Sequence, residues 1–428
     1  MEAAVFLKVR RLTTRRRLSC GYERPVSIRG LRFYCTRPPI WVIQTRTQTW
    51  NNAVVASPAP PAVIRSYSVA RRPVKYPKNA NLWLPAYLRD RVQSLLTRRP
   101  AKRLWVAMTD HYEPLGNTTL GVAHARVAAW QQRWPEIATS APKDAVGNSP
   151  CFTFFYPQEE YQRDILNSLA ELSRTGLTDV EVHLHHFHDN AASFVRKVDD
   201  FTRCLRNDHG LLHDHNGKLS FGFIHGNWAL DNSHPTGFGC GVVGELQLLR
   251  DLGCYADFTM PSLPSPTQSR ILNQIYWTNG DPAKPRGFDA GTEATLGGGT
   301  KGDLLMITGP TGLRYKGRLI PRIETGELAS YDLPTPYRVK RWLDLAPRIG
   351  DDIFLKLYGH SAREDNASAL LGTDQQPGAF GPMFRWIHEA AQERNLELHW
   401  ASAFQMFSAV NTLIQPAAPT SPIAESAQ

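Results

Sequence analysis

From about residue 100 onward, short apolar, β-prone runs alternate with stretches of helical period. LWVAMT (104–109) is an apolar run ending in Asp110, and residues 121–139 read as a helix. CFTFFY (151–156) is dense in aromatic residues that suit strands, and Tyr161, Ile165, Leu169 and Leu172 then recur at helical spacing. VEVHLHH (180–186) reads as a strand, followed by the helix stripe Phe194, Val198, Phe201 and Leu205. LSFGFIHGN (219–227) is strand-like, and VVGELQLLRDLG (242–253) reads as a helix ending at Gly253, a favoured residue just past a helix end. YADFTMP (255–261) follows as a strand. A helix at 336–348, strand IFLKLYGH (353–360), a helix at 381–394, strand LELHW (396–400) and a helix at 402–414 complete the series.

Repeated strand-then-helix units predict an α/β protein with parallel strands covered by helices. The number of units favours a (β/α) barrel over a doubly wound sheet. The alternation breaks between about 278 and 334, where GFDAGTEATLGGGTKGD is loop-like and LLMITGP and RLIPRIE suggest a β-hairpin. That stretch is expected to be an insertion over one end of a single barrel domain spanning 76–414.

Charge changes the picture only once it is located. Residues 1–75 hold fifteen Lys/Arg against two acids, Glu2 and Glu23, a net +13. The whole chain carries +10, so the remaining residues sum to −3. The folded body is therefore not expected to bind nucleic acid. The head is rich in Arg, Ser, Thr and Pro, and its composition predicts a disordered segment of transit-peptide, basic-arm or read-through-leader type. The tail 415–428 is expected to be disordered as well. No run approaches the ~18–20 apolar residues of a membrane helix. The six cysteines never form CxxC and predict reduced thiols in a cytoplasmic protein.

Candidate chemistry sits at the C-terminal ends of predicted strands, where (β/α) barrels collect their active residues. Asp110 and His111 follow the first strand, HLHHFHDN (183–190) ends the third, His225-Gly226-Asn227-Trp228 ends the fourth, and His360 ends a later one. Side chains alternate along a strand, so Val180, Val182 and Leu184 should face outer helices, and Glu181, His183 and His185 should face inward. Two imidazoles at i, i+2 can chelate one ion. A hydrolytic metal needs about three protein ligands and an open position. Asp110 or His111 is the natural third ligand, and His186, His188 or Asp189 could complete the set.

TDHYEP (109–114), EVHLHHFHDN (181–190), FIHGNWALDNS (223–233), ELQLLRDLGCYADFTMPS (245–262) and FLKLYGHS (354–361) resemble an uncharacterised bacterial family often encountered with exopolysaccharide genes. That family is similar to the polysaccharide deacetylase superfamily. The resemblance covers about residues 100–410. It implies a distorted seven-stranded barrel, a divalent metal that is commonly zinc, and a carbohydrate substrate. It also implies Asp110 as base or ligand, His111, His183, His185 and Asp189 as ligands, and His360 as the acid that protonates the leaving amine. His225, Asn227, Trp228 and Asp231 would contact the sugar. The sequence departs from the superfamily pattern at its adjacent aspartates (here Asp110-His111), at its paired histidines (His185 is followed four on by Asp189), and at its final Leu-x-His (Leu357 to His360). Its arginine–proline motif is missing.

Two rival readings compete. GHSAR (359–363) resembles a nucleophile elbow with Ser361 as nucleophile and His388 or His399 as partner, although Arg363 stands where a small residue is wanted. Alternatively the barrel binds carbohydrate without catalysis. GGGTKGD (297–303) lacks the spacing of a phosphate loop.

Overall fold

The structure, a computed structural model, describes residues 76–97, 100–316 and 319–416. The basic head 1–75 and the tail from 417, with the expectations attached to them, lie outside the described residues. The strands are β1 (Arg103–His111), β2 (Phe152–Pro157), β3 (Thr178–Leu184), β4 (His213–His215), β5 (Lys218–His225), β6 (Cys254–Asp257), β7 (Ile275–Thr278), β8 (Gly291–Glu293), β9 (Leu305–Ile307), β10 (Gly312–Lys316), β11 (Ile320–Glu324), β12 (Glu327–Leu328), β13 (Arg348–Ile349), β14 (Asp352–Gly359) and β15 (Glu397–Ala401). The helices are α1 (Ala80–Thr97), α2 (Leu120–Ser140), α3 (Arg163–Ser173), α4 (Ala191–His209), α5 (Glu245–Asp251), α6 (Pro336–Leu345), α7 (Glu364–Leu371), α8 (Phe380–Glu393) and α9 (Ala403–Ile414).

Together they form a mixed α/β fold around one 13-stranded, mostly parallel sheet. Its hydrogen-bonded order is β12-β14-β1-β2-β3-β5-β6-β9-β7-β8, with β13 on β14, β15 on β1 and β4 on β5. β1 shares its register with β15 over Arg103–Ala107 and with β2 over Met108–His111. Every predicted strand–helix unit appears. α1 and α7 were not anticipated, and the hairpin needs correction. It is made by β10 and β11, whereas β9, the LMI of LLMITGP, joins the main sheet beside β6 and β7. The reason is burial: Leu305, Met306 and Ile307 are all enclosed, the mark of a strand covered on both faces.

Side-chain parity divides the sheet into two faces with separate cores. On one face Leu104, Val106, Met108, Phe152, Phe154, Val180, Val182, Leu184, Phe221 and Phe223 pack against the apolar stripes of α2, α3, α4 and α5. On the other, Ala107, Phe155, Ile224, Tyr255, Ile275, Leu305 and Phe354 share an inner core with α9. The predicted outward set, Val180, Val182 and Leu184, lies on the helix side, and Glu181 and His183 lie on the inner side.

Local chemistry sets where the functional loops end. The final residues of HLHHFHDN start a helix: the Asn190 side chain accepts the Ser193 amide, and the Ser193 hydroxyl reciprocates at the Asn190 amide, a capping box for α4. Gly210, in the left-handed region at φ 68°, ends that helix.

Candidate metal centre

Three elements carry the inner group. His111 is the last residue of β1, Glu113 follows two positions on, and His183 sits near the end of β3. One ligand atom from each of these three buried residues lies within 4.8 Å of the others. His183 Nδ1 is 3.0 Å from the Ile224 carbonyl oxygen, an obligate acceptor, so Nδ1 carries the proton and Nε2 keeps its lone pair. That Nε2 is buried without a hydrogen-bond partner and stands 3.5 Å from Glu113 Oε1. His111 Nδ1 is likewise buried and unpartnered. Enclosed imidazole nitrogens without partners are costly unless something absent from the chain satisfies them.

His185, just past β3, and His360, just past β14, complete the surroundings. His185 Nε2 is 3.4 Å from Glu113 Oε1, and its Nδ1 is bonded to Glu159, which also accepts the His185 amide at 3.2 Å. The His185 ring lies so close over Gly226 that a Cβ there would collide with it, which makes glycine a requirement of this placement. The His360 ring lies 4.7 Å from that of His111, and Arg363 reaches Glu113 Oε2 at 3.2 Å. Trp228, at φ 56°, sets the edge of its indole near His111 and His360.

Electrostatics sort these groups. Burial pushes His111 well below the usual imidazole range, with neighbouring His360 and His183 adding to the effect, and it lowers His183 too. Burial likewise takes His360 down to about 4, which disfavours the imidazolium that the resemblance implies at this position. Burial opposes charge on Glu113, yet the approach of His183 and His185 holds its carboxyl well below the usual range. Burial also opposes charge on His185, but Glu113 and Glu159 on either side outweigh it and raise the imidazole to about 10. The result is neutral nitrogen donors around one carboxylate, with a histidine–carboxylate pair beside them. This set suits a divalent cation of zinc type, although the donors alone do not identify the ion.

The remaining sequence-predicted residues are distributed elsewhere. Asp110 has the parity of Met108 and so points away from His111. Its carboxylate accepts the Ser361 amide at 3.0 Å on each oxygen and the Ser361 hydroxyl at 2.7 Å. Strand alternation thus corrects the expected convergence of Asp110 with His183 and His185. The same contact corrects the nucleophile reading: buried Ser361 is occupied by an aspartate, His388 lies on α8, and His399 stacks on Trp105. Asp189 is drawn to the start of α4, where Ser193 and Lys197 donate to it at 2.8 and 2.7 Å. His188 is exposed against Phe187.

Two further residues proposed for the sugar serve the loop itself, and a third turns away from the inner group. Asn227 donates to the carbonyls of His186 and Gly239, and Asp231 accepts the amides of Gly244, Glu245 and Gly287. His225 turns outward into a second group with His186, Cys240 and Glu245, all buried, again with ligand atoms within 4.8 Å. A third group, Asp179, Glu181 and His213, meets the same distance limit. Its members are satisfied internally: His213 pairs with Asp179 at 2.7 Å, and Glu181 is bonded by the Tyr255 hydroxyl and the Gly222 amide.

Sequence reasoning missed Glu113, Glu159, Cys240 and Glu245. For Glu113 a signal existed: it lies two positions past His111 in the TDHYEP segment, the same spacing as His183 and His185. The other three had none. No protein-family model matches the chain, and no curated protein matches it either. No helix of the described residues is long and apolar enough to cross a membrane.

Proposed function

We propose that the chain is a metal-dependent hydrolase acting on a carbohydrate, removing acetyl groups from an N- or O-acetylated polysaccharide or its precursor. The observation that carries the reading is the inner group itself: buried His111 and His183 nitrogens without partners, beside Glu113 and a half-exposed His185. The carbohydrate part rests on the sequence resemblance and on Trp228, whose half-buried indole offers an apolar wall to a pyranose ring.

In this reading the mostly parallel sheet is curled into a barrel. Lys356 on β14 donates to the carbonyls of Phe258 and Met260 beyond β6, and the Gly309 amide beyond β9 donates to Met260. The inner core also draws residues from β1, β2, β5, β6, β7, β9 and β14 together. The Lys356 bonds and the shared core support a sheet that curves round on itself, and in such a barrel the inner group would lie at the C-terminal rim.

His111, Glu113 and His183 would hold the cation and leave a coordination position open. When bound, such a cation supplies Lewis acidity, polarising a carbonyl and acidifying an attacking water. His185 is placed to supply the proton: held as imidazolium between Glu113 and Glu159, it can give its Nε2 proton to the departing group and recover one from the attacking water. Arg363 balances the Glu113 carboxylate. His360, neutral, packs against His111 and fixes its ring.

The test uses the full chain loaded with zinc and offered N-acetylated and O-acetylated oligosaccharides. Acetate release should disappear on chelation and return with zinc. Absence of release from both substrate classes, or release indifferent to chelation, would contradict the proposal.

A further inference from the structure

The second histidine group lies on the other face of the sheet. His225 has the parity of Phe221 and Phe223, and His186 that of Leu184, so both turn toward the helices, where the His186 ring meets Phe194 of α4 at 5.1 Å. Cys240 and Glu245 come from the loop before α5 and from its first residue. All four are buried, with His225, Cys240 and Glu245 at 0% exposure and His186 at 3%.

We infer that His186, His225, Cys240 and Glu245 form a second, closed metal site that takes one zinc-type divalent cation as a structural clamp.

Four observations converge on it. The first is spacing: Glu245 Oε1 is 3.0 Å from His186 Nε2 and 3.9 Å from His225 Nε2, and Glu245 Oε2 is 3.4 Å from Cys240 Sγ. Bonds of about 2.0–2.3 Å to a tetrahedral ion put neighbouring ligand atoms about 3.4 Å apart. The second is an orphan: both ring nitrogens of His225, fully enclosed, lack any hydrogen-bond partner. The third concerns the sulfur, which accepts the amides of Asn232 and Val242 at 3.3 Å each; burial and Glu245 push its thiol up, so only a cation placed there would make it a thiolate. The fourth is a nearby outer carboxylate: Asp189 Oδ2 stands 3.4 Å from His186 Nδ1, while His186 Nε2 turns into the group toward Glu245. Nitrogen, sulfur and carboxylate donors in a four-ligand set suit zinc, and the absence of solvent contact leaves no room for substrate.

The clamp would join the ends of β3 and β5 to the segment running from His225 to Glu245. That segment carries Trp228, so the outer ion holds in place one wall of the inner group. Binding would release the Cys240 thiol proton to solvent, and the cation would then replace that proton in the cluster.

The test loads the full chain with cobalt and with zinc. Cobalt-loaded wild type should show thiolate-to-cobalt charge-transfer absorption, lost in Cys240→Ser and retained in His111→Ala/His183→Ala. By elemental analysis, that double variant should still hold one equivalent of zinc, and its melting temperature should fall on chelation. A missing thiolate band in wild type, or a band that persists in Cys240→Ser, would overturn the inference. A band in wild type supports it even where the Cys240 variant fails to fold. Because these readouts ignore turnover, an inert inner group would leave them unchanged.

Discussion

The inner and outer groups are built from one octet yet face different worlds. His183 and His185 lie on the inner face, with His185 half-exposed beside Glu159, whereas His186 is sealed with His225, Cys240 and Glu245 between sheet and helices. Donor types overlap, so the difference lies in access. The inner group has the half-exposed His185 next to it as a proton carrier. The outer one has a fourth protein ligand, a sulfur held by backbone amides, and no opening. Residue chemistry alone does not separate a reactive site from a structural one; the number of ligands and the path to solvent do.

The comparison can be broken most forcefully by His111→Ala/His183→Ala, which should abolish acetate release while leaving the outer group's zinc in place. Residual turnover near that of wild type would place the chemistry elsewhere. Next comes His185→Gln, for which kcat should fall by roughly 10²–10⁴-fold with metal content unchanged, as expected for loss of a proton carrier. A parallel loss of metal would make His185 a ligand instead.

Glu159→Gln should cost less, roughly 10–100-fold in turnover, since it acts through His185; an effect equal to that of His185→Gln would mean the two act as a single unit. Asp110→Asn keeps a partner for Ser361 and should leave the zinc stoichiometry of both groups intact, and a lost equivalent there would restore Asp110 as a ligand. The smallest effect is expected at His188, exposed and at φ 55°. His188→Asn, which tolerates that backbone, should shift stability by less than about 0.5 kcal/mol in thermal melts and leave turnover untouched. A large change would show that the fourth histidine of the octet also contributes.

Much of the frame was legible before the structure. The strand–helix units from β1 to α9, α7 excepted, follow from apolar period, and the alternation in VEVHLHH puts His183 on the inner face. The same rule applied to LWVAMTDH separates Asp110 from His111, although the two adjoin at the strand end. Asp189 was misjudged for another reason: the Asp-Asn pair at 189–190 looks like more ligands, and its Ser193 partner marks it as a helix start only when the capping box is recognised. The hairpin was displaced because LLMITGP is apolar enough for a core strand and also adjoins a turn.

The sequence by itself determined the fold class, the strand ends at which histidines gather, and the face on which each β3 residue lies, because these depend on local periods of two and 3.6. Only the tertiary structure decided the partners. Glu113, Glu159, Cys240 and Glu245 sit in loops or at element ends, where no period constrains direction, and their neighbours lie as far as 250 residues away. Convergence there depends on how the sheet curves and which loops it brings together, and no stretch of chain carries that information alone.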